Sequence, residues 1–299
     1  MKTTQYQKGQ SPFIPTILFW SFVLLILPSF TAMAQAQSKK MAVSSTLIPV
    51  SYPEILKGNE ASSLQYIEQF GKSRRNYIIS MYKGGKKMLP QAAAILKKYR
   101  IPQEFKVLLI LESAYNANAV SNAGAVGYWQ IMDEVAKEYG MKYCDQITPI
   151  EKRKLEKINK VKADSLLVQT KQTPDDRKNF VKATQVAARY LADRKRNLNG
   201  NWLLMVASYN CGIGNVWEAM KKSGKKNPSF WDIKALLPAE TQAYVLNFIA
   251  LNVIFHQYDQ FLKNQLAYTF PDTEPQQDMA INNDCPAATA QSTPSVAKN

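Results

Sequence analysis

The sequence predicts a mainly helical protein on three observations. Apolar residues recur at three- and four-residue spacing through most of the chain, helix-start signals of the Thr-Pro type precede two of the charged stretches, and no segment alternates as a strand series would. No internal repeat and no glycine-rich phosphate loop is visible. The helical domain is expected over residues 61–265, behind an extended lead-in at 35–60 and ahead of a disordered tail at 266–299.

The first 34 residues open with Lys2 and Lys8, run apolar from Phe13 to Phe30 and finish in Ala32-Met33-Ala34. A basic start, an apolar centre and a small-x-small end form an export signal, cleaved here after Ala34. The apolar run is almost long enough to serve as an uncleaved membrane anchor, but Pro15 and Pro28 interrupt it. The chain is therefore expected in the periplasm or cell envelope. Residues 35–60 mix Ser, Pro and small residues without periodicity and read as extended.

Helical spacing begins at Ala61, with Leu64, Ile67 and Phe70, then Tyr77, Ile78 and Met81, then Ala93 and Leu96; Gly84-Gly85 marks a break and Pro90 suits a first turn. Pro102 opens the helix that carries Glu112. Thr148-Pro149-Ile150-Glu151 has the order of an N-cap, a first-turn proline and a capping-box glutamate, and Thr173-Pro174-Asp175-Asp176 repeats the device. Two helices are thus expected within 148–197, joined near Lys171. The first, Ile150 to Gln169, is rich in Lys and Glu and reads as a solvated insertion. The second sets Val186, Ala187, Tyr190 and Leu191 on one face. Trp202 to Tyr209 reads as an apolar helix ended by Gly212 and Gly214, and Pro238 starts a last long helix with Tyr244, Phe248, Leu251 and Phe255 on one side. After Phe270 the Pro-, Gln-, Asn- and Ala-rich chain has too little apolar content to order itself.

The formal net charge is +15, with 38 basic and 23 acidic residues. Such an excess attracts polyanions, which for an exported protein means wall polymers and lipid head groups and sets nucleic acid aside. Wall or peripheral membrane association through the basic surface is expected, while oligomeric state stays open. One histidine, His256, excludes Ser-His-Asp catalysis and zinc sites needing two or three histidines; no metal or cofactor is expected. Three cysteines, Cys144, Cys211 and Cys285, leave at least one thiol unpaired. Cys211 is expected to be buried and unpaired, and any bridge to join Cys144 with Cys285.

Chemistry concentrates between Leu108 and Met132. Val107 to Leu111 is wholly apolar, so Glu112 is expected at the edge of low-dielectric material, where the pKa of a carboxylic acid rises and it can donate a proton near neutral pH. The following loop supplies Asn116, Asn118, Ser121 and Gln130 as neutral hydrogen-bonding groups and Tyr115, Tyr128 and Trp129 as flat faces, with Gly124 and Gly127 allowing close approach. That inventory suits a sugar ring better than a phosphate or a metal. Trp129 reads equally as core or as platform; Trp202, Trp217 and Trp231 read as core.

Three ordered blocks resemble a known family. Glu112-Ser113 with Ser121-x-Ala123-Gly124-Ala125-x-Gly127-Tyr128-Trp129-Gln130-Ile131-Met132, then Ala207-Ser208-Tyr209-Asn210-Cys211-Gly212-Ile213-Gly214, then Pro238-Ala239-Glu240-Thr241-Gln242-Ala243-Tyr244-Val245, are similar to the signature of the goose-lysozyme-like lytic transglycosylases, and Phe230-Trp231 resembles the membrane-bound type D branch. The resemblance spans residues 86–258 without the LysM repeats frequent in that branch. Ala117, Tyr128 and Asp133 replace its usual proline, leucine and proline, and the segment between the first two blocks, around 145–180, is longer than usual.

The resemblance implies a lysozyme-like fold and cleavage of the β-1,4 bond between N-acetylmuramic acid and N-acetylglucosamine in peptidoglycan glycan strands. Glu112 then acts as general acid and next as base, leaving a 1,6-anhydro end. Tyr209 would hold the N-acetyl group or the acid, Ser121, Gln130 and Asn210 would bind the sugars, and Met132 would shape the groove floor, with Ser113 and Tyr244 in supporting positions. Glu240 either stands in the cleft as a second carboxylate or caps and positions its helix, the latter being preferred. The competing readings are a lysozyme-type muramidase, which needs a second carboxylate to orient water, and a non-catalytic peptidoglycan-binding protein, which tends to lose the acid.

Overall fold

The computed structural model describes residues 47–144, 146–158 and 174–269. The expected export signal and its cleavage point, most of the tail, Cys285 and the helix end expected near Gln169 lie outside them. Among the described residues the architecture is helical: α1 (Glu60–Ser73), α2 (Arg75–Gly84), α3 (Met88–Lys98), α4 (Leu108–Ser113), α5 (Asp133–Glu138), α6 (Pro149–Ile158), α7 (Phe180–Asn197), α8 (Trp202–Cys211), α9 (Ile213–Lys222), α10 (Phe230–Ile233), α11 (Ala239–His256) and α12 (Tyr258–Leu262). No described helix is long and apolar enough to cross a membrane.

The core is built around α11. Val245, Phe248, Ile249, Ala250, Leu251, Val253 and Ile254 are all fully buried, so this helix is apolar nearly all round and needs neighbours on every side. It packs against α1, α8 and α4, and Tyr244 near its start meets Glu112 at the end of α4. Met205, Val206 and Ala207 bury α8 against it, and Leu64 and Ile67 do the same for α1. His256 ends α11 exposed to solvent. Burial of this apolar area, at about 25 cal/mol per Å², is the main force holding the bundle together.

Several helix boundaries sit where sequence signals put them. Gly85 follows α2, Pro90 lies in the first turn of α3 and Pro238 precedes α11. The capping box at Thr148 is made in full: its backbone N–H donates to Glu151 Oε2 at 2.8 Å, and Glu151 N–H donates to Thr148 Oγ1 at 3.2 Å.

Other boundaries differ for local reasons. The second Thr-Pro-Asp signal opens only the short 3-10 turn Asp176–Lys178, because Asp175 is drawn into an ion pair with Arg177; α7 starts five residues later, with the Asn179 side chain accepting from Lys182 N–H at 3.0 Å. Gly212 does end α8, with φ +81°, but Gly214 belongs to α9, which begins at once. Trp217 is not core: it is 49% exposed on the outer face of α9.

The lead-in, extended at Ile48–Pro49 and turning through the 3-10 helix Glu54–Leu56, joins the domain where it is described. Ile48–Pro49 pairs in parallel with Leu266–Ala267, and Val50, Tyr52 and Leu56 enter the hydrophobic core. Alternating apolar residues too few to show a period still find partners once both ends of the domain meet. Tyr52 donates or accepts a 3.0 Å bond with Ser63 of α1, which fixes the segment against the first helix.

Candidate functional site

Leu108, Leu109 and Ile110 are buried on α4, and the helix stops at Ser113 because Ala114 takes a left-handed conformation, φ +47°, followed by Tyr115 at +70°. Two consecutive non-glycine residues in this region cost roughly 1–2 kcal/mol each. The Tyr115 hydroxyl holds the bend by donating to the Met81 carbonyl at 2.9 Å, tying α4 to the end of α2. Glu112 therefore sits on the last turn of a short buried helix, half-buried itself.

Its carboxylate accepts a hydrogen bond from the Tyr244 hydroxyl of α11. Burial pushes the Glu112 pKa up to about 7, against the hydrogen bond from Tyr244, which favours the charged form, and with a smaller push from the negative charge of Glu240. The Tyr244 and Tyr209 hydroxyls are both held well above the ordinary phenol range by burial and by the nearby Glu112 charge, so both stay protonated donors.

Tyr209 donates to the Trp129 carbonyl at 2.8 Å, which joins α8 to the loop after α4. Its ring meets the edge of Tyr190 from α7 at 5.6 Å. Tyr209, Gln130 and Met132 line one small cavity of about 60 Å³ together with Tyr190. Asn210 accepts from the Thr241 hydroxyl at 2.7 Å, a bond between the second and third sequence blocks. Ser113 Oγ donates to the Tyr128 carbonyl at 2.8 Å. Ser121 Oγ accepts from Ala125 N–H at 2.9 Å, and Gln130 Nε2 donates to the Gly127 carbonyl at 3.0 Å, so both side chains shape their own loop.

The structure thus brings Glu112 together with Tyr244, and Gln130 and Met132 together with Tyr209. Glu240 stands apart: its carboxylate is exposed in the first turn of α11, the α11 N-cap has no side-chain hydrogen bond, and it reaches Glu112 only through its charge. Trp129 is fully buried and donates to Thr184 Oγ1 at 2.9 Å, which decides for core over platform. Cys211, half-buried beside the site with its thiol against the Ala207 carbonyl at 3.3 Å, forms no disulfide among the described residues.

Sequence reasoning missed how the loop is braced. Arg177 is fully buried; it pairs with Asp175 at 2.8 Å and with Asp133, and donates to the Cys144 carbonyl at 2.8 Å and the Ile131 carbonyl at 3.5 Å. Its own carbonyl packs on Gly127, where an added Cβ would stand 2.1 Å away. Close approach at Gly127 was legible; its partner lies 50 residues on and carries no periodic signal. Asp133, which replaces the proline usual in the resembled family, is one arm of this brace.

Comparison with known proteins agrees with the first two blocks, which lie inside the matched segment. Residues 90–231 match the transglycosylase SLT domain. Over 178 residues the chain is 33% identical to membrane-bound lytic murein transglycosylase D of Escherichia coli, covering 59% of this chain and 31% of that protein. It is 24% identical over 140 residues to a putative tributyltin chloride resistance protein of an Alteromonas species, covering 46% of this chain and 55% of that one. The crystal structure of the 70 kDa soluble lytic transglycosylase of Escherichia coli overlaps 55% of this chain and 24% of its own, at 21% identity and a TM-score of 0.39. The chain spans about a third of the length of the murein transglycosylase it matches. Over residues 90–231 the chain is thus similar to the transglycosylase SLT domain, and over 178 residues to membrane-bound lytic murein transglycosylase D.

Proposed function

We propose that the protein is an exported lytic transglycosylase of the cell envelope. It cleaves the β-1,4 bond between N-acetylmuramic acid and N-acetylglucosamine and leaves a 1,6-anhydromuramic end. The observation that carries this reading is Glu112: a carboxylic acid with a pKa of about 7 at the buried end of α4, bonded to Tyr244, while the carboxylate among the described residues whose charge reaches it, Glu240, is exposed and makes no bond to it. Glycosidases that use water or a covalent intermediate need two such groups. One group suffices when the substrate supplies its own nucleophile.

The protonated Glu112 gives its proton to the glycosidic oxygen as the C1–O bond breaks, and the N-acetyl carbonyl of the substrate stabilises the positive C1. The resulting carboxylate takes the proton from the C6 hydroxyl as O6 closes on C1. No water is consumed and Glu112 ends protonated, ready for another turn. Tyr244 holds the carboxyl group throughout. Tyr209, Asn210, Ser113, Ser121, Gln130 and Met132 shape the groove for the sugars, and Glu240 tunes the acid through its charge.

Mass analysis of fragments released from purified wall tests the reaction class. Anhydromuramic ends, lighter by one water and resistant to borohydride, are expected; exclusively reducible muramic ends would leave a lysozyme-type hydrolase instead.

The pH profile tests the acid. With a pKa near 7, the proton-donating form dominates below neutrality, and kcat/KM is expected to fall about tenfold per pH unit well above pH 7. Tyr244→Phe removes a bond that stabilises the charged form, so the alkaline limb moves to higher pH; Glu240→Gln removes a negative neighbour, so it moves to lower pH. A limb that stays in place in both variants would show that another group sets it.

A further inference from the structure

A pocket of about 220 Å³ lies at the opposite end of α8 from Tyr209. Trp202 opens that helix, and at 1.5 Å per residue roughly 10 Å of helix separates it from Tyr209. The walls come from parts of the chain far apart in sequence: Asn59 just before α1, Asn201 and Trp202 at the start of α8, and Trp231 of α10. The Trp231 indole N–H donates to Asn59 Oδ1 at 2.8 Å, which joins two of these parts. Trp202 meets the Phe105 ring edge-on, with centroids 5.9 Å apart. Both tryptophans are only half-buried, so each packs on the core and still offers surface to the pocket.

No ionisable side chain lines this pocket. Lys195 and Lys234 lie over the Trp202 and Trp231 rings, 5.2 and 5.7 Å from their centroids, rather than in the lining. As N-cap of α8, Asn201 accepts the Leu204 N–H on Oδ1 at 3.1 Å, and its Nδ2 group has no partner among the described residues. The Trp202 indole N–H has none there either, and neither atom is shut off from solvent, so both can donate to a ligand. A phosphate or carboxylate would call for a cation in the lining. Flat indole surface beside free neutral donors fits the apolar face and the acetamido carbonyl of an N-acetylated sugar.

We propose that this pocket is a second glycan site, separate from the acid, that takes one N-acetylated sugar residue of the wall polymer. The sugar lies against the Trp202 and Trp231 surfaces, and its acetamido carbonyl accepts from Asn201 Nδ2. The proposal rests on the wall-polymer reading of the Glu112 site. No carboxylate lines the pocket, so it binds without cleaving. The consequence is a second hold on the glycan, which on an insoluble polymer retains the protein beyond what one groove achieves.

NMR of the Glu112→Gln protein, titrated with the trimer of N-acetylglucosamine, tests this without turnover. The Trp202 and Trp231 indole signals are expected to move along their own binding curve, apart from the signals around Tyr209 and Gln130, while Trp217, exposed outside the pocket, stays in place. Asn201→Asp keeps the cap, because Asp and Asn rank alike at that position, but removes the free donor. In the Glu112→Gln/Asn201→Asp protein, binding at the pocket should weaken about three- to tenfold, the scale of one neutral hydrogen bond, with the curve at Tyr209 unchanged. An unchanged circular dichroism melt checks the fold. Movement around Tyr209 with none at Trp202 and Trp231, or pocket binding that Asn201→Asp leaves intact, would overturn the proposal alone. No movement at either place would overturn the wall-polymer reading and this proposal with it.

Discussion

Glu112→Gln is expected to lower turnover on purified wall by at least about 10²-fold while leaving fold and wall binding in place. General acid–base contributions run from about 10² to 10⁴. Glutamine keeps the shape and still accepts from Tyr244, but it neither gives nor takes a proton. Because Glu112 is asked to act in both halves of the reaction, its loss stops both proton transfers. Glu240→Gln is expected to cost far less, since its carboxylate is exposed and touches Glu112 only through its charge. Single-turnover measurements with binding measured separately check the split. Full activity in the Glu112→Gln protein would remove the site assignment.

Arg177→Met is expected to destabilise the protein by about 3–5 kcal/mol, the usual result of leaving one member of a buried pair uncompensated. Both Arg177 and Asp175 have side chains with no exposure to solvent, whereas Asp133 is 42% exposed and can be rehydrated. Asp175 would carry most of the penalty. For a domain of this size the corresponding fall in Tm is roughly 6–20 °C. The double variant Arg177→Met/Asp175→Leu should recover much of that loss, because an apolar pair of similar volume is often as stable as a buried ion pair. A Tm for Arg177→Met within a degree or two of the parent would show that the network contributes nothing net. The same variant releases the Ile131 carbonyl and the Arg177 backbone packed on Gly127, so loosened substrate binding should accompany the lost stability.

Much of the site was legible before any coordinates. An unbroken apolar run ahead of Glu112 implied a buried helix end and a raised pKa, and both follow from local composition alone. The pairing of Glu112 with Tyr244 was not legible, since 132 residues separate them and hydrogen bonding leaves no periodic trace. Nor was the internal use of Ser121 and Gln130: a polar side chain in a loop looks the same in sequence whether it faces a ligand or its own backbone. Trp217 shows the reverse error. Its spacing fits a core stripe, but burial depends on which face of α9 meets α8.

By itself, the sequence determined the helical class, most helix starts and stops, and the place of Glu112 at the end of an apolar helix. These rest on interactions within about four residues: caps, first-turn prolines and the 3.6-residue period. Only the tertiary structure decided that Ile48–Pro49 joins Leu266–Ala267 and that Arg177 braces the loop before α5. Each depends on long-range juxtaposition. Chain positions far apart meet there for one shared reason, the burial of α11 by its neighbours, and no local pattern records which polar groups that packing will bring face to face.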